Sequence, residues 1–242
     1  MPLIKNKFSF TYLHLATALS ITLYSVYIWA IPSLAARVVF KPPGDRMPRT
    51  SAGGASRTGP TCGINSSNSS QENVTPILPR SNIGLTVAEH PTIFIYIPKT
   101  KAKTAFFSLE DANEKNIYQG RFDLPQQAGI MQIKLPSSIP ELKTEQKYKW
   151  SLAMICTADL EPDSPFISGW IRRVSVNHNS RNLQANLDSV ANLAASGLWY
   201  DVLSTLAQLR HSQPNNPALV TTWQDLLNSV GLNAIANEPL IN

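Results

Sequence analysis

Two cysteines are the residues of this chain best suited to a defined chemistry. Cys62 and Cys156 are the only cysteines among its 242 residues, and Cys156 ends the longest strictly alternating segment. In an oxidising compartment such a pair favours a disulfide, here between a glycine-rich segment and a strand. A zinc site would need four ligands at short spacing, and no histidine is near either cysteine in sequence. The pair predicts a disulfide, with a metal pair and two free thiols as alternatives.

Glycines surround a second candidate, the run Gly53-Gly54-Ala55-Ser56-Arg57. The spacing from Gly54 to Gly59 is that of a phosphate-binding loop, but Pro60-Thr61 stands where lysine and serine or threonine would be needed. A nucleophile elbow lacks its closing glycine and its preceding strand. A turn is therefore favoured over an anion site at Arg57, and a structural or functional role stays open.

Histidines and carboxylates offer no catalytic signature. The four histidines form no His-x-His or His-Glu-x-x-His spacing, which metal hydrolysis would favour. A Ser-His-Asp triad is a spatial arrangement, and no local motif indicates one. No catalytic, cofactor-binding or metal-binding residue is predicted, and an enzyme is the less favoured interpretation.

Lysines and aromatic residues could contact a partner. Lys99, Lys101 and Lys103 alternate, which favours protection of a strand edge over contact with anionic polysaccharide or lipid headgroups. Trp150 and Trp170 are expected to fill a sandwich core, which would leave no aromatic platform for sugars. Four apolar residues of the C-terminal helices are candidates for docking a partner: Trp199, Tyr200, Leu203 and Trp223.

The elements that must position these residues change character along the chain. Between residues 81 and 177 apolar residues alternate with period two in several runs separated by turns, which predicts strands. After residue 182 the spacing becomes i, i+3/i+4, and Gly197 and Gly231 are expected to end the first and third of three helices. The expected fold is mainly β: an antiparallel, immunoglobulin-like β-sandwich with a small C-terminal helical hairpin.

The first residues read as an export signal. Lys5 and Lys7 precede an apolar stretch from about Phe8 to Ile31, and Pro32 is followed by small residues that suit cleavage after residue 35. The alternative is an uncleaved membrane anchor. Cleavage would lower the net charge from +5 to +3, which gives no argument for a nucleic-acid partner. The predicted organisation is a leader at 1–35, a Pro/Gly/Ser-rich arm at 36–80, a sandwich at 81–177 and a helical segment at 182–232.

Seven short motifs follow one another in a characteristic order along the chain: Phe40-Lys41-Pro42-Pro43, Ser51-Ala52-Gly53-Gly54-Ala55-Ser56-Arg57, Gly84-Leu85-Thr86-Val87-Ala88-Glu89-His90-Pro91-Thr92, Gly129-Ile130, Gly169-Trp170-Ile171-Arg172-Arg173-Val174, Gly197-Leu198-Trp199-Tyr200-Asp201 and Ser229-Val230-Gly231-Leu232. Together they resemble the domain of unknown function 928 family of exported cyanobacterial proteins. The resemblance covers most of the chain after the leader, and it implies an envelope or extracellular setting but no activity, because the family has no established one.

The C-terminal helices separately resemble a tetratricopeptide-type hairpin, although a solenoid needs about three repeats. A helical cap packed on the sandwich is favoured over a docking hairpin. The expected protein is periplasmic, outer-envelope or extracellular, a non-enzymatic binding module for envelope proteins or polysaccharide. It would contact a membrane only through an uncleaved leader. The alternatives are a hydrolase of envelope material and an accessory protein that docks a partner through its helices.

Overall fold

A computed structural model describes residues 38, 40–42, 44, 62, 73–162, 164–175 and 185–241. The predicted leader at 1–35, the Gly53–Arg57 run and most of the predicted arm lie outside the described residues, so these interpretations stay predictions.

The described residues form nine strands and three α-helices, so the fold is mainly β as predicted. The strands are β1 (Thr75–Pro76), β2 (Ile83–Thr86), β3 (Thr92–Ile97), β4 (Thr104–Asp111), β5 (Asn116–Asp123), β6 (Gly129–Lys134), β7 (Lys147–Ile155), β8 (Phe166–Arg173) and β9 (Leu240–Ile241). The helices are α1 (Leu187–Ala195), α2 (Trp199–Ser212) and α3 (Pro217–Ser229), followed by a 3-10 turn at Asn233–Ile235.

The strands make two sheets, and both are mixed rather than antiparallel. The four-stranded sheet has the order β1-β3-β6-β9, and the five-stranded sheet has the order β2-β8-β7-β4-β5. The expectation of a purely antiparallel fold is wrong at two pairs, since β2 runs parallel to β8 and β9 runs parallel to β6. Parallel neighbours need a long connection. In sequence, five strands separate β2 from β8, and two strands and the three helices separate β6 from β9.

Period-two alternation is confirmed in the long strands of the five-stranded sheet. In β4, Ala105, Phe107 and Leu109 are fully buried, while the residues between them are half-buried. Strand β3 differs because it is buried on both faces. Its Phe94 ring lies 6.2 Å from the ring of Trp223 in α3, so a helix covers the side that solvent would otherwise reach.

The two tryptophans expected in the core lie on opposite faces of their sheet. Trp150 is fully buried opposite Gly169, as predicted. Trp170 pairs with Lys149 on the other face and is only half-buried, so its predicted place in the core is wrong. The core face of β8 is instead formed by Ile167, Gly169 and Ile171. A side chain larger than that of glycine would not fit opposite Trp150. Gly169 must therefore lie on the core face, and this determines which residues of β8 face the core.

Glycine ends two helices where predicted. Gly197 has φ of 73°, and its N–H bonds to the carbonyl of Ala194 while Leu198 N–H bonds to Leu193. Gly231, with φ of 86°, ends α3 in the same way. This pair of bonds defines a Schellman cap, whose left-handed residue costs least as glycine. The short α1–α2 turn then directs α2 against the sheets, where Trp199 Nε1 donates to the carbonyl of Ile77 at 2.8 Å.

The predicted disulfide joins Cys62 to Cys156, with Cα atoms 5.0 Å apart and a sequence separation of 94. Cys156 follows β7 directly. The carbonyl of Cys62 accepts hydrogen bonds from Lys101 N–H at 2.8 Å and from the Thr100 hydroxyl at 3.0 Å. The disulfide therefore links residue 62 to the end of β7, and the two hydrogen bonds link it to the loop between β3 and β4.

Replacing Gly169 by alanine should destabilise the fold. A Cβ there would lie 2.6 Å from Cζ2 of Trp150 and would also overlap Leu78, so a buried ring would have to move. We expect Gly169→Ala to lower the free energy of unfolding by about 1–3 kcal/mol, measured by denaturant titration. Gly44→Ala is the matched control, because a Cβ at Gly44 meets no atom within 4 Å. Equal stability of the two variants would contradict this packing.

Removing the disulfide should destabilise the fold through the unfolded chain. A closed loop of this length restricts the unfolded ensemble by about 4–5 kcal/mol in the chain-entropy treatment. We expect the double variant Cys62→Ser/Cys156→Ser to lose up to about that much unfolding free energy. Reduction of the disulfide in the wild-type protein should lower its denaturant midpoint to about that of the double variant. Two free thiols in the non-reduced protein, found by mass mapping, would refute the bridge.

Candidate functional site

One face of the five-stranded sheet lies opposite the core. At its β2 end the face is covered, since Ile83, which pairs with Trp170, is fully buried; over β4, β5, β7 and β8 it carries three rows of side chains that we call the trough. Directly paired residues on antiparallel strands project to the same side, so the register defines rows across the sheet. Three rows cross β4, β7 and β8: Phe106–Ala153–Phe166, Ser108–Ser151–Ser168 and Glu110–Lys149–Trp170. Strand β5 extends the first two rows with Arg121 and Gln119. The middle row is the floor of the trough, and the outer rows are its walls.

The floor consists of small polar side chains. Ser108 and Ser151 are half-buried, Ser168 is buried between Phe166 and Trp170 on its own strand, and Gln119 is exposed. Among the described residues no hydrogen-bond partner is found for the hydroxyl of any of these three serines. Each hydroxyl can both donate and accept, so the floor offers unused hydrogen-bonding groups.

The walls combine aromatic and charged side chains. Phe166 is 45% exposed, and only Leu160, in the β7–β8 loop, is a similarly exposed large apolar residue in the described part of the chain. Phe106 and Trp170 are half-buried, so part of each residue remains accessible. Same-face rows are about 7 Å apart along a strand, which places the walls about 13 Å from each other. This width suits one extended chain.

Packing on the opposite side of the sheet fixes the trough from behind. The indole Nε1 of Trp150 donates to the hydroxyl of Tyr200 at 2.9 Å, and that hydroxyl donates to the carbonyl of Trp170 at 3.0 Å. A Cβ on Gly84 would lie 2.6 Å from the Tyr200 ring, so the ring approaches the sheet only because this residue is glycine. Complete burial raises the pKa of Tyr200, which keeps its hydroxyl protonated and able to donate.

Asp201 anchors the loop between β2 and β3 to helix α2. Its Oδ2 accepts the N–H of Val87 at 3.1 Å, and the nearby polar groups of Thr86 and Ala88, which bond each other at 3.0 Å, also favour the charged form of its carboxyl group. Burial raises the pKa of Asp201 to about 6, because removal from water disfavours the charged form more than these hydrogen bonds favour it. The group holds an internal contact and does not line the trough.

Arg173 joins the loops at the end of β8. Its Nη1 donates to the carbonyl of Leu142 at 2.6 Å, its Nη2 pairs with Glu89 at 3.0 Å, and its Nε reaches the carbonyl of Val87 at 3.4 Å. The guanidinium therefore fixes the β2–β3 and β6–β7 loops relative to each other. These bonds give Arg173 a role in positioning the loops around the sheet.

The four candidate docking residues of the helices are part of the core. Trp199, Tyr200, Leu203 and Trp223 are each 0–1% exposed. The Trp199 ring packs edge-on against Phe40 with ring centroids 4.6 Å apart. These side chains already contact residues of their own chain, so docking through them would require the helices to leave the sheet. Because none of the four side chains is exposed, the docking hypothesis loses the surface that it requires.

The three alternating lysines lie in a loop rather than on a strand edge. Lys99, Lys101 and Lys103 are exposed between β3 and β4, while Ala102 between them is buried. The expectation that they protect a strand edge is therefore wrong. Their alternation arises because the loop bonds Cys62 through its backbone and turns its long side chains outward. The long edge strand of the five-stranded sheet is β5, whose exposed residues include Arg121 and Asp123.

Within the described residues, no group of three or more histidine, cysteine, aspartate or glutamate side chains could hold a metal ion. In the same part of the chain, no helix is both long enough and apolar enough to cross a membrane.

The sequence does not predict the trough, because Trp170, one of its three aromatic residues, is expected in the core. The alternating pattern of β8 separates Phe166, Ser168, Trp170 and Arg172 from Ile167, Gly169 and Ile171. The polar members of the first set were the available signal that it faces solvent. Aromatic residues are common on both core and binding surfaces, so ring content alone does not decide between them.

The fold defines a mainly β protein with two mixed sheets and three C-terminal helices. The chain matches the family described as Domain of Unknown Function (DUF928) over residues 52–240, and it belongs to that family. This confirms the resemblance stated from the sequence motifs. No curated protein matches the chain.

The raised pKa of Asp201 predicts a specific pH dependence of stability. Between about pH 4 and pH 6 the folded protein binds more protons at this group than the unfolded chain, so the free energy of unfolding falls as pH rises through that window. Asp201→Asn keeps an acceptor for Val87 N–H but does not titrate. In the wild type, this group should lower the free energy of unfolding by about 1–3 kcal/mol between pH 4 and pH 7. We expect Asp201→Asn to lack this change, and denaturant titration at the two pH values measures it.

Asp188→Asn is the control for this measurement, because Asp188 is an exposed acid in the first turn of α1. Its pH profile of stability should follow the wild type. An Asp201→Asn profile identical to the wild type would show that burial of the Asp201 carboxyl does not control this dependence.

Proposed function

We propose that this chain is an exported, non-enzymatic binding module of the cell envelope that holds its ligand in the trough. The observation that carries the proposal is the composition of the solvent-facing side of the five-stranded sheet. A face that only contacts water is usually polar along its strands. Here Phe106, Phe166 and Trp170 flank a floor of serines whose hydroxyls find no hydrogen-bond partner in the part of the chain that the structure describes. Rings exposed together with unused hydroxyls are typical of a ligand-binding surface.

The architecture supports such a role. In this proposal the two mixed sheets pack face to face as a β-sandwich. The C-terminal helices cap it, with α2 against β2 of the five-stranded sheet and α3 against Phe94 of the four-stranded sheet. The trough then lies on paired strands rather than on loops, which gives a binding surface of fixed geometry. The disulfide between Cys62 and Cys156 supports an oxidising compartment, and the leader-like residues before position 35 support export.

Retention on whole cell envelopes tests the proposal. The folded chain without residues 1–35 is mixed with a washed envelope fraction from the producing cells, and the sedimented share is measured. We expect retention of the wild type and loss of most of it in Phe166→Ala, because that ring is the most exposed on the trough. One exposed aromatic contact is worth about 0.5–1.5 kcal/mol, or up to about tenfold in affinity.

The matched control is Leu160→Ala, which removes the other exposed large apolar side chain outside the trough. Both variants should keep the denaturant midpoint of the wild type within a small margin. The proposal fails if the wild type does not sediment with envelopes, or if Phe166→Ala is retained as well as Leu160→Ala.

A further inference from the structure

We infer that the ligand of the trough is a polysaccharide chain that lies across the strands. The inference rests on the proposed function and adds the chemical class and the direction of the ligand. It is carried by the floor Gln119, Ser108, Ser151 and Ser168 together with the aromatic walls.

The floor matches the hydrogen-bonding groups of a sugar. A sugar hydroxyl both donates and accepts, as a serine hydroxyl does, and a glutamine amide offers one group of each kind. The three serine hydroxyls have no partner among the described residues, so they can bind without giving up a bond inside the protein. Gln119 already donates to the side chain of Asn116 at 3.0 Å, which leaves its carbonyl oxygen as an acceptor.

The walls match the apolar faces of a sugar ring. A pyranose presents C–H groups above and below its ring, and these pack against the electron-rich face of an aromatic side chain. Phe106 and Phe166 stand on the same wall with Ala153 between them. The methyl side chain of Ala153 leaves a gap between the two rings. Sugar units can therefore contact the wall without a clash at its centre.

A protein partner fits this surface less well. The cores of protein–protein interfaces are depleted in serine, whereas serine forms the centre of this trough. A peptide that adds a strand would bind along a sheet edge and use free backbone groups. The trough instead crosses the sheet face, where the backbone groups of β4, β7 and β8 already pair with their neighbours.

The ends of the trough favour a polymer over a single sugar. The floor spans four strands, or about 14 Å from β5 to β8. Strand β5 is the edge of its sheet, so a chain can continue past Gln119 without meeting another strand among those described. The walls carry two cations, Arg121 and Lys149, and one carboxylate, Glu110. This balance admits either neutral or acidic sugar units.

Affinity electrophoresis in native gels tests the inference. The gel contains polysaccharide extracted from the envelopes and medium of the producing cells and digested with protease and nuclease. We expect the wild type to be retarded, and Ser108→Ala/Ser151→Ala to bind about 5- to 150-fold more weakly, since two hydrogen bonds are lost. The control Ser137→Ala/Ser138→Ala removes two exposed hydroxyls from the β6–β7 loop and should leave retardation unchanged.

Chemical treatment of the same polysaccharide separates the sources of binding. Periodate oxidation should abolish retardation, because it destroys sugar rings. Retardation that survives reduction of carboxyl groups assigns binding to neutral hydroxyls, and loss assigns it to uronate units; either result supports a polysaccharide ligand. Retardation that is equal for the two double-serine variants would overturn the inference.

Failure of the inference can be told apart from failure of the proposed function. If digested polysaccharide does not retard the protein while whole envelopes still retain it through Phe166, the ligand is an envelope protein and only the inference falls. If neither preparation binds, both fail.

Discussion

The structure depends on a constraint between Trp150 and Tyr200, two large side chains that are buried with a polar atom each. A buried indole N–H or phenol hydroxyl without a partner costs about 1–3 kcal/mol, and here the two groups pair with each other. Their rings fit only because Gly84 and Gly169 carry no Cβ. The Tyr200 hydroxyl then bonds the backbone of Trp170, so one contact joins helix α2 to the strand that forms part of the trough.

This constraint explains why distant sequence motifs occur together. Gly84 begins one run that identifies the family, Gly169 begins another, and Tyr200 belongs to a third, although more than 110 positions separate the first from the last. In the folded chain they form one packed contact, and Asp201 adds a bond to the loop after β2. These motifs therefore describe how the sheet and the helices are held together. The serines of the floor lie outside them.

Local features of the fold could be predicted from the sequence because each has a local cause. Gly197 and Gly231 end helices because a left-handed residue there suits glycine, and alternation in β4 and β7 reports one buried face. Pairing between distant segments has no such local signal. The parallel pairs β2–β8 and β6–β9 depend on where long connections return the chain. Burial of β3 on both faces depends on α3, which is more than a hundred positions away.

The orientation of β8 decides which of its side chains lie in the core and which lie in the trough. Its alternation is equally regular on both faces, and a one-residue change of face would exchange every side chain. Bulk would place Phe166 and Trp170 inside, but Trp150 already fills the space opposite and admits only Gly169. The rings of Phe166 and Trp170 must then lie on the opposite face, beside Ser168, where they do not form part of the core. The close packing of Trp150 against Gly169 therefore places these aromatic rings on the outer face of the sheet. Serines from three neighbouring strands complete the trough, so the pattern of one strand alone does not predict it.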